Sequence, residues 1–219
     1  MGSVLCGYSR TPNVKSEIMA SRPRDVVVVG ASAGGVEALQ AMVSGLPVRL
    51  LASMLVVLHV PADRSSNLPA ILGRGGPLPA RTARHGERLE TGRIYTATPD
   101  YHLMVAMDHT VELSRGLSRH GHRPSIDVLF QSAAVACGAR VTGVLLSGML
   151  KDGVDGLLAI SEMGGRTIVQ DPAEAIFPSM PRAALRAMTP DHVVRAADIG
   201  PVLAGNQTPE PSETAGLPV

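Results

Sequence analysis

Three residues of this chain combine the types that acyl transfer requires, and each stands just beyond an apolar run. Ser32 follows the valines of DVVVVGASAGG (Asp25 to Gly35), His59 closes the run Met54 to Leu58, and Asp152 lies in SGMLKDGVDG after Val141 to Leu146. A serine hydroxyl needs a base to take its proton, and an imidazole serving as that base needs a carboxylate to fix its tautomer and stabilise its charged form. Each residue also has a plainer reading: Ser32 in a glycine turn, His59 as a structural loop residue, and Asp152-Gly153 as a turn signal. Their joint placement favours chemistry. Two substitutes rank lower. Asp155 lies farther into the following helix, and His192 would give the order Ser, Asp, His but precedes its short strand at Val193 and Val194.

The stretch around Ser32 sets the organisation of the chain. Four consecutive valines read as a strand buried on both faces, as in parallel sheets. Gly30, Gly34 and Gly35 then allow a tight turn, and Val36, Leu39, Met42 and Val43 recur with helical spacing. A serine in G-x-S-x-G between strand and helix is the pattern of a nucleophile elbow, with N–H groups and a helix N-terminus beside the hydroxyl. The same donors suit a phosphate. The string fits neither G-x-G-x-x-G nor the G-x-x-x-x-G-K-[ST] loop, so both the elbow and an anion-binding glycine turn stand at this point.

The rest of the chain supplies alternating strands and helices. A short helix is expected from Leu68 to Leu72, a helix capped by Ser125 over Ser125 to Ala136 with Asp127 complementing its dipole, a strand at Arg166 to Val169, and a helix at Met180 to Met188. Arg93 to Ala97 and His102 to Ala106 alternate, and with Val111 and Leu113 they suggest an antiparallel hairpin attached to the sheet, turning at Met107 to His109. The expected fold is α/β: a doubly wound, mostly parallel sheet with helices on both faces and an antiparallel hairpin. Residues 1–24 are expected to form a flexible arm, 25–204 the catalytic domain, and 205–219 a disordered tail. In such sheets ligands sit beyond the carboxyl ends of the strands, which places Ser32, His59 and Asp152 on one edge.

Composition narrows the function. The 219 residues carry 20 basic and 19 acidic side chains, so no nucleic-acid partner is indicated, and 2% aromatic residues leave little for base stacking. No apolar run reaches transmembrane length and the N-terminus has no secretory pattern, so no membrane insertion is expected. Cys6 and Cys137 read as free thiols in a reducing cytoplasm. His120 and His122 form a His-x-His pair, but no third ligand lies near, and they read as structural or exposed. No metal or cofactor is expected.

The segments VGASAGG, VVLHVP, RIYTATPDYHL, RPSIDVLFQSAA, GVLLSGMLKDGVDG and GGRTIVQDPAEAIFPSMPRAA, in that order, resemble the catalytic domain of the chemotaxis protein-glutamate methylesterases, the CheB type. The resemblance implies hydrolysis of glutamate methyl esters on receptor helices or another methylated signalling protein, with glutamine deamidation in some members. It implies Ser32 as nucleophile, His59 as general base and acid, Asp152 as orienting carboxylate, and oxyanion donors among the N–H groups around Ala33 and Met149. The chain departs from the family pattern at Ala33, where threonine is usual, and at Leu150, where glycine is usual. A leucine there is expected to alter the oxyanion loop if the backbone needs a positive φ. Only 24 residues precede Asp25, so an N-terminal receiver is not expected in this chain. A non-catalytic binding module and a small-molecule ester hydrolase are the alternatives, and the oligomeric state is open.

Overall fold

The computed structural model describes residues 25–59, 67–119 and 121–205. The expected arm, all of the tail beyond Gly205, Cys6 and His120 lie outside these. Seven strands form one wholly parallel sheet: β1 (Val26–Ala31), β2 (Ser53–Leu58), β3 (Ala80–Thr82), β4 (Ile94–Thr96), β7 (Val141–Leu145), β8 (Arg166–Gln170) and β9 (His192–Val194). Their order across the sheet is β3-β4-β2-β1-β7-β8-β9. The chain lays β2, β3 and β4 on one side of β1 and then crosses to the other, so the topological switch falls at β1, with β2 and β7 as its neighbours.

Burial on both faces explains the valine run. Val26 and Val28 point into one core with Leu55, Val57, Ile126, Leu129, Phe130 and Leu157, and Val27, Val29 and Ala31 point into the other with Leu39, Met42, Val56, Leu72 and Ile199. The first core is covered by α3 (Ile126–Cys137), α4 (Val154–Glu162) and α5 (Ser179–Ala187). The second is covered by α1 (Gly35–Ser44), α2 (Leu68–Gly75) and α6 (Ala196–Gly205). The central strands β1, β2 and β7 are therefore buried at every position, which removes the alternation of a half-exposed strand.

The expected antiparallel hairpin is present, and only its attachment needs correction. β5 (His102–Val105) and β6 (Val111–Ser114) do pair antiparallel around residues 106–110, but as a separate two-stranded sheet. Ile94–Thr96 belongs instead to the main sheet, parallel to β2 and β3. The alternation was misleading because Tyr95 is fully buried: its hydroxyl accepts a hydrogen bond from the Glu90 N–H (2.8 Å) and donates to the Arg88 carbonyl (3.2 Å). β3 and α6 had no counterpart in the sequence reading. Within α6, Gly200 and Pro201 mask the helical pattern. Gly205, assigned to the tail, is the last residue of α6.

Candidate active site

Backbone pairing carries the strand ends past the regular sheet and sets them level. The His59 N–H donates to the Ala31 carbonyl at 3.1 Å, and the Ser32 N–H donates to the Ser147 carbonyl at 3.0 Å. Ser32 and His59 thus leave neighbouring strands side by side. After Ser32 the chain reverses at once, with the Gly35 N–H donating to the Ser32 carbonyl at 2.9 Å. The left-handed residue of this turn is Gly34, at φ 67°, where a Cβ would come within 2.8 Å of the Ile176 Cβ and 2.9 Å of the Ser147 Oγ. Any side chain there would be strained in backbone and blocked in space.

Side chains complete a linear array. His59 Nδ1 lies 3.2 Å from Ser32 Oγ, and His59 Nε2 lies 2.8 Å from Asp152 Oδ2. With Asp152 ionised, the proton belongs on Nε2, leaving Nδ1 to accept from the serine hydroxyl. His59 is 8% exposed and Asp152 2%. Of the two lower-ranked substitutes, Asp155 is exposed in the first turn of α4, and His192 opens β9 at the opposite edge of the parallel sheet.

Asp152 is held by more than the imidazole. Its carboxylate accepts from the Ser125 hydroxyl (2.9 Å), the Ile126 N–H (2.7 Å) and the Asp127 N–H (3.2 Å). Burial alone would raise its pKa, but His59 and these donors outweigh that cost and hold the group below the ordinary carboxylate range. Ser125 holds the N-cap position of α3, as expected, but its own side chain makes no capping bond: Asp152, remote in sequence, supplies the acceptor. Asp127 returns the favour by accepting from the N–H groups of Gly153 (2.9 Å) and Gly156 (2.7 Å) at the start of α4. Burial, helped by the nearby Asp152 charge, pushes the Asp127 carboxyl up to about 6. Two helix N-termini are thus capped crosswise by two adjacent carboxyl groups.

Around Ser32 a second network fixes the loop after β7. The Ser147 hydroxyl donates to the Ala33 carbonyl (2.9 Å) and accepts from the Phe177 N–H (3.0 Å), while the Ser147 N–H donates to Gln170 Oε1 (2.7 Å). The Gly148 N–H donates to the Phe177 carbonyl (2.9 Å), and a Cβ on Gly148 would sit 2.9 Å from the Ser32 Cβ. Because the Ser32 N–H is spent on Ser147, it is not available to an oxyanion. The N–H groups of Ala33 and Met149 make no hydrogen bond within the described residues. Leu150 adopts φ 65°, so the loop takes the left-handed conformation despite the side chain. Sequence reading missed Ser147, Gln170 and the second duty of Ser125, since their partners lie 23 or more residues away. It also missed the position of His122, whose ring stacks on His59.

A cleft of about 900 Å³ opens on the Asp152 side, lined among others by His122, Leu150, Lys151, Arg182 and Arg186. Ser32 and His59 are not part of its lining. Among the described residues no cluster of histidine, cysteine and acidic side chains could hold a metal ion, and no helix is long and apolar enough to cross a membrane. Cys137 is a buried free thiol.

Residues 27–203 match the family model described as CheB methylesterase. The chain belongs to the CheB methylesterase family. A protein-glutamate methylesterase/protein-glutamine glutaminase of Anaeromyxobacter dehalogenans is 42% identical over 180 residues, covering 82% of this chain and 53% of that protein. The chain thus spans about half the length of that CheB relative. A relative from Leptospira interrogans is 35% identical over 170 residues, which cover 78% of this chain and 88% of the other. The crystal structure of the Thermotoga maritima CheB methylesterase catalytic domain matches with a TM-score of 0.79 at 28% identity, over 83% of this chain and 97% of that one. The parallel sheet and its flanking helices are therefore the CheB catalytic fold.

Proposed function

We propose that this chain hydrolyses methyl esters of glutamate side chains on a chemoreceptor or related signalling protein in the cytoplasm, through an acyl-Ser32 intermediate. The observation that carries this reading is the unbroken array from Ser32 Oγ through His59 to Asp152, at 3.2 and 2.8 Å. Ser32 Oγ attacks the ester carbonyl as its proton passes to His59 Nδ1, and Asp152 stabilises the resulting imidazolium. The tetrahedral oxyanion is met by the N–H groups of Ala33 and Met149. His59 returns the proton to the departing methoxide, releasing methanol. Water, deprotonated by His59, then cleaves the acyl-enzyme and frees the glutamate carboxylate. The same steps with an amide would release ammonia from glutamine.

Positive φ at Leu150 supports this over a non-catalytic module, because the loop keeps the shape that a glycine would give it. Exposed Lys151, Arg182 and Arg186 at the cleft support a polypeptide substrate bearing carboxylates over a small neutral ester. Ser32→Ala and His59→Gln should each lower methanol release from a methylated receptor by about a thousandfold or more. A Ser32→Ala protein that released methanol at the parent rate would end the proposal.

A further inference from the structure

The loop that runs from β6 to α3 is pinned at several points and delivers one ring to the site. Arg119 and His122 exchange backbone hydrogen bonds at 3.1 and 2.9 Å, closing a reversal in which Gly121 has φ 80°. Arg123 Nε donates to Asp100 Oδ1 at 2.9 Å, and its other guanidinium nitrogens reach Asp100 and the Gly116 carbonyl. The Ser125 N–H donates to His102 Nδ1 at 3.2 Å, and His102 Nε2 in turn donates to the Leu117 carbonyl at 3.1 Å. Between these anchors His122 lies half-buried, its ring centroid 3.9 Å from that of His59 and the two planes 10° apart.

Resting on the serine-hydrolase reading, we propose that His122 is a positioning residue for the general base, holding the plane of the His59 imidazole by stacking. The two hydrogen bonds of His59 lie in the plane of its ring and run to Ser32 on one side and Asp152 on the other. They resist sliding of the ring but oppose tilt about the line between their partners only weakly, and the outer torsion of histidine has a broad well. A flat surface against one face removes that tilt. It also keeps water from that face, which strengthens both hydrogen bonds. Because a misplacement of about 1 Å can cost about a hundredfold in rate, control of ring plane is enough to matter. Stacking needs a flat side chain, with no demand on its nitrogens.

The test compares His122→Phe, which keeps a flat face, with His122→Leu and His122→Ala, which do not. The readouts are the second-order rate of Ser32 labelling by a fluorophosphonate, and kcat and KM on a simple activated ester. The expected result is a roughly ten- to hundredfold loss of labelling rate and kcat in the Leu and Ala proteins, with KM moved less than about threefold. His122→Phe should recover to within about threefold of the parent. Labelling of His122→Leu at the parent rate would overturn the proposal, as would a His122→Phe protein as slow as His122→Ala. A parent chain that no fluorophosphonate labels would overturn the hydrolase reading first, and this one with it.

Discussion

At the scale of single residues, Asp127 is the group whose state the fold changes most usefully for measurement. Its carboxyl is raised to about 6 from an ordinary 3.8, so the folded protein holds that proton more tightly than the unfolded chain does. The stabilisation is complete below about 3.8 and is lost as pH climbs through about 6. Asparagine keeps a carbonyl oxygen for the N–H groups of Gly153 and Gly156 without acquiring a charge beside Asp152. Asp127→Asn should therefore gain on the parent, by on the order of 2 kcal/mol, between pH 4 and pH 7 in urea unfolding. A stability difference that is flat across that range would contradict the raised carboxyl. None of this was legible in the sequence, where Asp127 suggested only a charge at the start of its own helix. Its hydrogen-bonded partners lie 26 and 29 residues downstream, and no local pattern announces them.

At the scale of elements, the loop between β7 and α4 holds a strained residue at a position that favours glycine. Leu150 at φ 65° is 66% exposed, so its side chain offsets little of the cost of a left-handed backbone. Leu150→Gly removes the strain but loosens the unfolded chain, and a net gain of about 0.5–1 kcal/mol is expected, or roughly 2 °C in Tm. A lower Tm would show that the leucine supports the loop. The sequence anticipated this conflict correctly but not its outcome, since neighbouring hydrogen bonds hold the loop against the preference of the residue. Strands β1, β2 and β7 were plain in sequence because central parallel strands, buried on both faces, carry runs of apolar residues. β4 was misassigned because a buried tyrosine with a satisfied hydroxyl imitates polar alternation, and α6 was lost behind Gly200 and Pro201.

At the scale of the whole molecule, charge is nearly balanced, with a formal net charge of +1. On the proposed function, attraction for a receptor would come from the local group of Lys151, Arg182 and Arg186 at the cleft rather than from a general field. Reversing both charges on α5, in Arg182→Glu/Arg186→Glu, should cut the ratio of kcat/KM on a methylated receptor to that on a small soluble ester by about tenfold at low salt. The deficit should shrink as ionic strength rises and screens the cleft. A ratio equal to that of the parent at every salt concentration would place the receptor elsewhere on the surface.

The crosswise capping of α3 and α4 also bears on how an inert form of this protein should be made. Capturing a bound partner calls for a chain that recognises its target but cannot turn it over, and any member of the Ser-His-Asp array looks equivalent for that purpose. They are not equivalent here. Asp152 satisfies the first turn of α3 and itself lines the cleft, so its removal would disturb helix and cleft together with the side-chain array, and a failed capture could not be attributed to either. Ser32→Ala loses one hydroxyl whose hydrogen bond is to His59 and leaves both helix caps in place. Ser32, and not Asp152, is the position at which to build a substrate trap.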